Sequence, residues 1–198
     1  VYGLLRILHV AHAGLFTLGG YICVIVTNQT SSFLLAVLTS MILVGLAGMI
    51  IYRICYQPIL DQPPFVPLIA SIGLFIAMEE LFRIFFGAYG LSFTELPLQE
   101  PLALMQINLK QAEWITIASS VGFVAMLAFL ANRTKLGLAW KATVTDPEIA
   151  SSFGVNIIQV RYLNFFIGSS LAAVSGCMMA VLNNLVEPTM GSVPSYKM

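Results

Sequence analysis

The chain has 198 residues, of which 59% are hydrophobic and only 9% are charged. Nine basic and nine acidic side chains cancel, so the net charge gives no reason to expect binding to nucleic acid or to an acidic substrate. Soluble domains carry about 25% charged residues, and this chain has too few polar side chains to coat a soluble fold. We therefore expect an all-α polytopic bundle of transmembrane helices solvated by the lipid bilayer.

Five segments are candidates for membrane-spanning helices, because a span needs about 20 mostly apolar residues. The first is the shortest and least regular, and the third admits Glu79, Glu80 and Arg83 near its end. We predict one transmembrane domain over residues 1–198. In chain order the five predicted spans are residues 11–27, 33–52, 65–86, 114–131 and 162–186.

The loops between the spans indicate an orientation, since cytoplasmic loops are enriched in lysine and arginine. Loop 132–161 carries four basic side chains, and Arg53 follows the second span. Loop 90–113 instead carries three glutamates and Lys110. We therefore predict that loop 132–161 is cytoplasmic, and that loop 90–113 and turn 28–32 face outward.

The two ends of the sequence indicate a longer protein. The chain starts with Val1 rather than methionine, and it lacks the basic stretch and small-residue cleavage site of a signal peptide. It ends shortly after the last predicted span. We expect a partial transmembrane domain, with one more helix in front and further helices behind.

The predicted cytoplasmic loop contains a helix-start signal. Asp146 can accept hydrogen bonds from free backbone N–H groups, Pro147 suits the first helical position, and Glu148 complements the positive end of the helix dipole. Gly154 stands where a left-handed C-terminal residue is favoured. We predict a short helix over residues 147–153, lying in the loop rather than crossing the membrane.

A four-residue spacing is overlaid on this helix. It runs through Ala142, Asp146, Ala150 and Gly154, preceded by Gly137 and Lys141. Small side chains at that spacing allow another surface to approach closely, while Lys141 and Asp146 offer charged contacts. The capping signals and the spacing are compatible with two interpretations. The segment is either an ordinary capped helix at the membrane interface or an element that docks on a cytoplasmic partner.

The residues from Gly137 to Val155 read G-x-x-x-K-A-x-x-x-D-x-x-x-A-x-x-x-G-V. This pattern resembles the cytoplasmic loop of the permease subunits of branched-chain amino acid ABC importers. Residues 2–13 look like the family's Y-G-x-x-x-x-x-N-F-A-H-G, and residues 19–21 are similar to its G-A-Y. Residues 68–74 and 187–191 also match family segments, so the resemblance covers nearly the whole chain in order.

The chain departs from the family pattern at four positions. His9 replaces asparagine, Val10 replaces phenylalanine and Ala13 replaces glycine. Lys141 replaces arginine, which keeps the charge but loses the bidentate fork. We expect the changes at His9 and Ala13 to bear on substrate choice.

The resemblance implies a multi-pass permease subunit in the inner (plasma) membrane, part of an ATP-driven importer rather than an enzyme. Its implied partners are cytoplasmic ABC ATPase subunits, a second permease subunit and a periplasmic or extracellular substrate-binding protein. The implied substrate is leucine, isoleucine or valine, although related permeases carry urea, short amides or sugars. No G-x-x-x-x-G-K-[ST] motif occurs in the sequence, so we expect no bound cofactor and assign ATP hydrolysis to partner subunits.

The resemblance also implies two sets of functional residues. Coupling to the ATPase, within loop 132–161, falls on Gly137, Lys141, Ala142, Asp146, Glu148, Ala150 and Gly154. The translocation pathway falls on His12, Gly19, Gly20 and Tyr21.

Two other function classes compete with this interpretation. A secondary transporter would use Glu79 or Glu80 for proton coupling, since ionisable groups inside a span are functional candidates. A membrane-embedded enzyme would use the same carboxylates with His9 and His12. Neither explains the capped helix in the loop, and Glu79 can pair with Arg83 four residues later.

Other candidate sites have simpler structural readings. A metal at His9 and His12 lacks further ligands of suitable spacing. The three separated cysteines, Cys23, Cys55 and Cys177, read as small packing residues. A stripe of small residues, Gly168, Ala172 and Gly176, predicts close helix packing in the last span.

Overall fold

The fold is taken from a computed structural model, which describes residues 9–60, 62–63, 65–95, 97–98, 101–104 and 107–192. The predicted features in residues 1–8 and 193–198, and Glu100, lie outside the described residues. Within the described residues the chain forms seven α-helices, which confirms the all-α class. They are α1 (His12–Thr30), α2 (Phe33–Ile51), α3 (Phe65–Phe86), α4 (Gln111–Arg133), α5 (Lys135–Thr145), α6 (Pro147–Ser152) and α7 (Ile157–Asn183).

Four helices in the described part of the chain are long and apolar enough to cross a membrane, by length and composition. They are α2 with its extension to Ile59, α3, α4 and α7. They correspond to the last four of the five predicted spans. The first predicted span forms α1, a helix of 19 residues, which is not one of these four.

Helix α1 lies in the middle of the bundle. It packs on both α2 and α7, and ten of its residues are buried. A helix enclosed by protein does not need a lipid-soluble surface on every side, so glycine, threonine and tyrosine are tolerated along it. The core of the molecule lies where α1, α2 and α7 meet.

Hydroxyl groups and small residues bring these three helices together. Ser40 of α2 donates to the carbonyl of Gly19 in α1 at 3.3 Å. Ser170 of α7 donates to the carbonyl of Met41 in α2 at 2.9 Å. In the predicted small-residue stripe of α7, Ala172 and Gly176 are buried, which confirms close packing at these two positions.

The second span is longer than the sequence predicted. After α2 the helix continues as a π-helical turn over Tyr52–Tyr56 and a 3-10 turn over Gln57–Ile59. The prediction ended the span at Tyr52 because Arg53 follows it, but Arg53 points outward while Tyr52 and Tyr56 are buried. A single basic residue therefore does not end a helix when the residues around it pack inward.

Two short antiparallel strand pairs complete the described fold, and the sequence predicted neither. Strand β1 (Leu91–Ser92) pairs with β4 (Leu185–Val186), which is followed by a 3-10 turn at Pro188–Gly191. Strands β2 (Pro101–Leu104) and β3 (Ile107–Lys110) pair with each other immediately before α4.

The loop after α3 is tied to the end of α1. The Asn28 side chain donates to the carbonyl of Ser92 at 3.1 Å, and its Oδ1 accepts from the N–H of Thr94 at 2.9 Å. Turn 28–32 and loop 90–113 therefore lie on the same side of the bundle. This agrees with the prediction from the loop charges that both segments face outward.

Candidate functional site

The two helices of loop 132–161 follow a tight turn after α4. Thr134 caps α5, and its Oγ1 accepts from the N–H of Gly137 at 3.1 Å. A Cβ at Gly137 would overlap the backbone carbonyls of Leu130 and Ala131 at the end of α4. Gly137 is buried, so its structural role is to permit this turn.

Lys141 and Ala142 occupy the second half of α5. The exposed Lys141 donates from Nζ to Oδ1 of Asn132 at 2.7 Å, which links α5 to the end of α4. The half-buried Ala142 accepts at its carbonyl from the N–H of Asp146 at 3.0 Å, closing the last turn of α5. The amine of Lys141 lies on the surface and can also reach a partner.

The start of α6 is the one that the sequence predicted. Oδ1 of Asp146 accepts from the N–H groups of Glu148 at 2.9 Å and Ile149 at 3.0 Å. Pro147 occupies the first turn, and the exposed Glu148 carries the acidic charge there. The capped helix is confirmed, one residue shorter than predicted.

The end of α6 closes in a Schellman motif. The N–H of Gly154 donates to the carbonyl of Ser151 at 2.9 Å, and that of Val155 to the carbonyl of Ala150 at 3.1 Å. Gly154 has φ of 82°, in the left-handed region that costs other residues energy. The backbone therefore favours glycine here, as predicted.

The predicted four-residue spacing does not form one continuous face. The chain changes direction at Asp146, which ends α5 and caps α6. Ala142 lies on α5, whereas the buried Ala150 lies on α6. Between the two helices runs a groove of about 760 Å³, and Ala142, Asp146 and Ala150 line it.

Large apolar side chains stand around this groove, and sequence reasoning did not select them. Phe153 is 84% exposed and Ile149 is 57% exposed, and both line the groove with Leu138 of α5. Their signal in the sequence is the presence of large apolar residues on a segment predicted to lie outside the bilayer. We call Leu138, Ile149 and Phe153 the loop apolar patch.

The predicted pathway residues lie on α1. His12 is half-buried in its first turn, and Gly19, Gly20 and Tyr21 are buried. A Cβ at Gly19 would overlap the backbone of Ala173 in α7. The Tyr21 ring stacks on a ring of α3 at a centroid distance of 4.2 Å. These contacts give Gly19 and Tyr21 packing roles, and the place of all four residues on the pathway stays a prediction.

His9 belongs to an aromatic cluster. Its Nδ1 is 2.6 Å from the hydroxyl oxygen of Tyr56, and its ring contacts Phe165 at a centroid distance of 5.2 Å. The His12 ring lies 5.6 Å away. Among the described residues, no group of three or more His, Cys, Asp and Glu side chains is arranged to hold a metal ion.

The charged residues of α3 pair with one another. Arg83 Nη2 lies 3.5 Å from Oε1 of Glu79, which confirms the predicted pair. Arg83 Nη1 lies 2.7 Å from Oε1 of Glu80, which is the closer contact. Two carboxylates share one guanidinium, so the group keeps one formal negative charge.

A second groove, of about 520 Å³, runs between α4 and α7. Among its lining residues are four hydroxyl side chains that sequence reasoning did not select: Thr116, Ser119, Ser120 and Ser175. Each donates to a backbone carbonyl of its own helix at 2.7 to 3.1 Å. Their oxygen lone pairs remain able to accept a hydrogen bond from a solute.

Comparison with known proteins gives one family over the whole chain. Residues 1–198 match the model of the branched-chain amino acid transport system permease component. The chain is 25% identical over 211 residues to the high-affinity branched-chain amino acid transport system permease protein LivH of Salmonella typhimurium, covering 100% of this chain and 68% of the relative. It is 25% identical over 210 residues to BraD of Pseudomonas aeruginosa, with the same coverage. No solved structure matches the chain significantly.

Proposed function

Because this chain belongs to the permease-component family of branched-chain amino acid transport systems, we propose that it is the permease subunit of an ATP-driven importer that couples to separate ATPase subunits through α6. The family is one of transport permeases, not of enzymes. The proposed substrates are leucine, isoleucine and valine, with urea, a short amide or another small polar solute as the alternative.

The observation that carries the proposal is the exposure of the loop apolar patch. Ile149 lies on a helix that is capped at both ends, and Phe153 follows its last residue, so the backbone that carries both side chains is held by hydrogen bonds. Large apolar side chains on a polar loop are typical of protein interfaces. Lys141 and Glu148 add charges at the rim.

We propose that the partners are two cytoplasmic ABC ATPase subunits, a second permease subunit and a soluble substrate-binding protein outside the membrane. ATP is bound and hydrolysed by the ATPase subunits, and the chain itself binds no cofactor. Closure of the ATPase pair would move α6, and the α4–α5 turn at Gly137 would carry this movement to α4. The outer loop clamped by Asn28 is the proposed contact for the binding protein.

The groove between α4 and α7 supports a place for the solute. Its apolar lining suits the side chain of a branched-chain amino acid, and its hydroxyl oxygens can accept hydrogen bonds from an ammonium group. The carboxylates of α3 are less suited to proton coupling, because Arg83 already pairs with both of them. This favours the ATP-driven reading over the secondary transporter.

The test is association with the ATPase. We would co-express the chain with the ABC ATPase subunits from the same cell and measure how much ATPase is recovered with the purified permease. Phe153→Asp places a charge in the proposed contact and should lower the recovery by at least about tenfold. Ile158→Asp is the matched control, since Ile158 is 53% exposed at the start of α7 and does not line the groove.

The docking role of α6 would be contradicted if Phe153→Asp recovered as much ATPase as the unaltered chain. It would also be contradicted if Phe153→Asp and Ile158→Asp lowered the recovery equally. Uptake of leucine driven by a proton gradient, in vesicles that contain this chain and no ATPase, would favour the secondary transporter.

A further inference from the structure

A third cavity, of about 490 Å³, lies between α4, α5 and α7 at the end of the bundle where loop 132–161 begins and ends. Its lining includes Leu127 and Leu130 from the last two turns of α4, and Leu163 and Ile167 from the first half of α7. We call this space the inner cavity. Pockets of about 300–1,000 Å³ hold small organic molecules, so the inner cavity is large enough for a free amino acid.

One polar side chain of the inner cavity lacks a partner. Asn164 lines the cavity and is only 4% exposed, and within the described part of the chain its Nδ2 has no hydrogen-bond acceptor. A buried amide N–H without an acceptor is costly, and such groups are normally satisfied by protein, water or a ligand. Among the described residues that line the cavity none is a carboxylate, so a bound solute can supply the missing acceptor.

The inner cavity continues the groove between α4 and α7. Leu127 belongs to both linings. The hydroxyl side chains of the groove lie on one side of it, and Asn164 lies on the other. On α7 the boundary falls between Ile167 and Leu171, one helical turn apart. The groove is the proposed place for the solute, so a solute that moves past Leu127 reaches Asn164.

Loop 132–161 forms the third wall of the inner cavity. Gly137 and Trp140 of α5 line it, as do Gly154 and Val155 between α6 and α7. In the chain, α6 lies between these two pairs. A movement of α6 is therefore passed to a wall of the inner cavity, whereas no described residue of the loop lines the groove between α4 and α7.

We propose that the inner cavity is a second binding position for the solute, on the loop side of the groove, and that Asn164 donates a hydrogen bond from Nδ2 to the solute's carboxylate. The inference rests on the proposed function, from which it takes the solute, an amino acid with a branched aliphatic side chain. That side chain packs against Leu130, Leu163 and Ile167, which removes apolar surface from water. Asn164 then recognises the charged end of the solute.

The test measures whether leucine shields a thiol placed in the inner cavity. Ile167→Cys is made in a Cys55→Ala background, in which Cys23 and Cys177 are buried, and the permease is purified with its partner subunits in lipid nanodiscs. Alkylation by N-ethylmaleimide is timed with and without leucine. We expect leucine to slow the reaction of this thiol. Alkylation of Asn183→Cys, at the exposed end of α7 and outside both linings, should not change.

The role of Asn164 is tested on the same protein. Asn164→Leu removes the donor and keeps a side chain of similar size. The leucine concentration that halves the alkylation rate should rise at least about tenfold, since a hydrogen bond to a charged group is worth that much or more. Isopentylamine, which has the side chain of leucine but no carboxylate, should shield the thiol poorly whether residue 164 is asparagine or leucine. Asn183→Leu is the matched control and should leave the shielding by leucine unchanged.

Equal shielding by leucine with Asn164 and with Asn164→Leu, or equal shielding by leucine and isopentylamine, would overturn the role of Asn164. If leucine does not change the rate, or if the thiol does not react at all, another group fills the cavity and the inference is overturned. Recovery of the ATPase with Phe153→Asp tests the proposed function separately. If that variant loses the ATPase while leucine shields no thiol, only the inner-cavity proposal fails. If it retains the ATPase, the coupling proposal fails whatever the thiol shows.

Discussion

Gly176 of α7 faces the backbone carbonyl of Phe16 in α1, so closely that a Cβ on the glycine would overlap the carbonyl oxygen. The two helices meet at the centre of the bundle, and this contact sets their separation. A glycine within a helix normally lowers stability by about 1 kcal/mol relative to alanine. Here glycine is favoured because any larger residue would overlap the Phe16 carbonyl.

We expect Gly176→Leu to destabilise the protein by about 3 kcal/mol or more, because α1 and α7 must move apart to admit the side chain. Thermal unfolding of the purified protein in detergent would measure the loss. Gly122→Leu is the control, since Gly122 lies on α4 with open space around it. Equal unfolding temperatures for the two variants would contradict the packing reading.

Asp146→Ala should fray the first turn of α6, because two backbone N–H groups lose their acceptor. Loss of such a cap costs about 1 kcal/mol. Hydrogen exchange at the amides of Glu148 and Ile149 should speed up accordingly. Asp146→Asn keeps an acceptor and removes the charge, so slow exchange should persist, and fast exchange in both variants would point to the charge instead.

Gly154→Val should strain the end of α6, because a β-branched residue tolerates the left-handed conformation poorly. The penalty is about 1–2 kcal/mol, and faster exchange of the Val155 amide would report it. Gly154→Asn is the comparison, since asparagine adopts this conformation more readily. If valine and asparagine behaved alike, the backbone conformation would not be what requires glycine.

Asn28→Asp and Asn28→Ala should differ in the rate of hydrogen exchange at the Thr94 amide. The aspartate retains the oxygen that accepts from the Thr94 N–H but loses the donor to the Ser92 carbonyl. We expect the Thr94 amide to stay protected from exchange in Asn28→Asp and to lose protection by about fivefold to tenfold in Asn28→Ala, corresponding to about 1 kcal/mol for one hydrogen bond. Loss in both variants would show that the clamp needs both bonds.

Local sequence patterns were sufficient for the helix in loop 132–161. Its cap depends on Asp146 and the two residues after Pro147, and its end depends on Gly154 and Val155. These interactions join residues no more than five positions apart, so their spacing can be read directly. The same holds for the pairing of Glu79 with Arg83.

The candidate site was predicted only in part. The sequence marked Gly137 and Ala150 for the same reason as Asp146, by spacing, but both are buried. It gave no weight to Phe153, whose exposure depends on how α5 and α6 fold back on each other. Spacing identifies a face of a helix, while exposure depends on what covers that face.

By itself, the sequence determined that the chain is an all-α membrane protein, where four of its long helices lie, and how α6 begins and ends. The tertiary structure alone decided that α1 lies in the core, that α2 runs on past Arg53, and that β1 pairs with β4 almost a hundred residues later. Hydropathy and capping depend on residues that are close together in the chain, so they can be read directly from the sequence. Contacts between distant segments depend on the packing of the whole bundle, so they become visible only when the chain is folded.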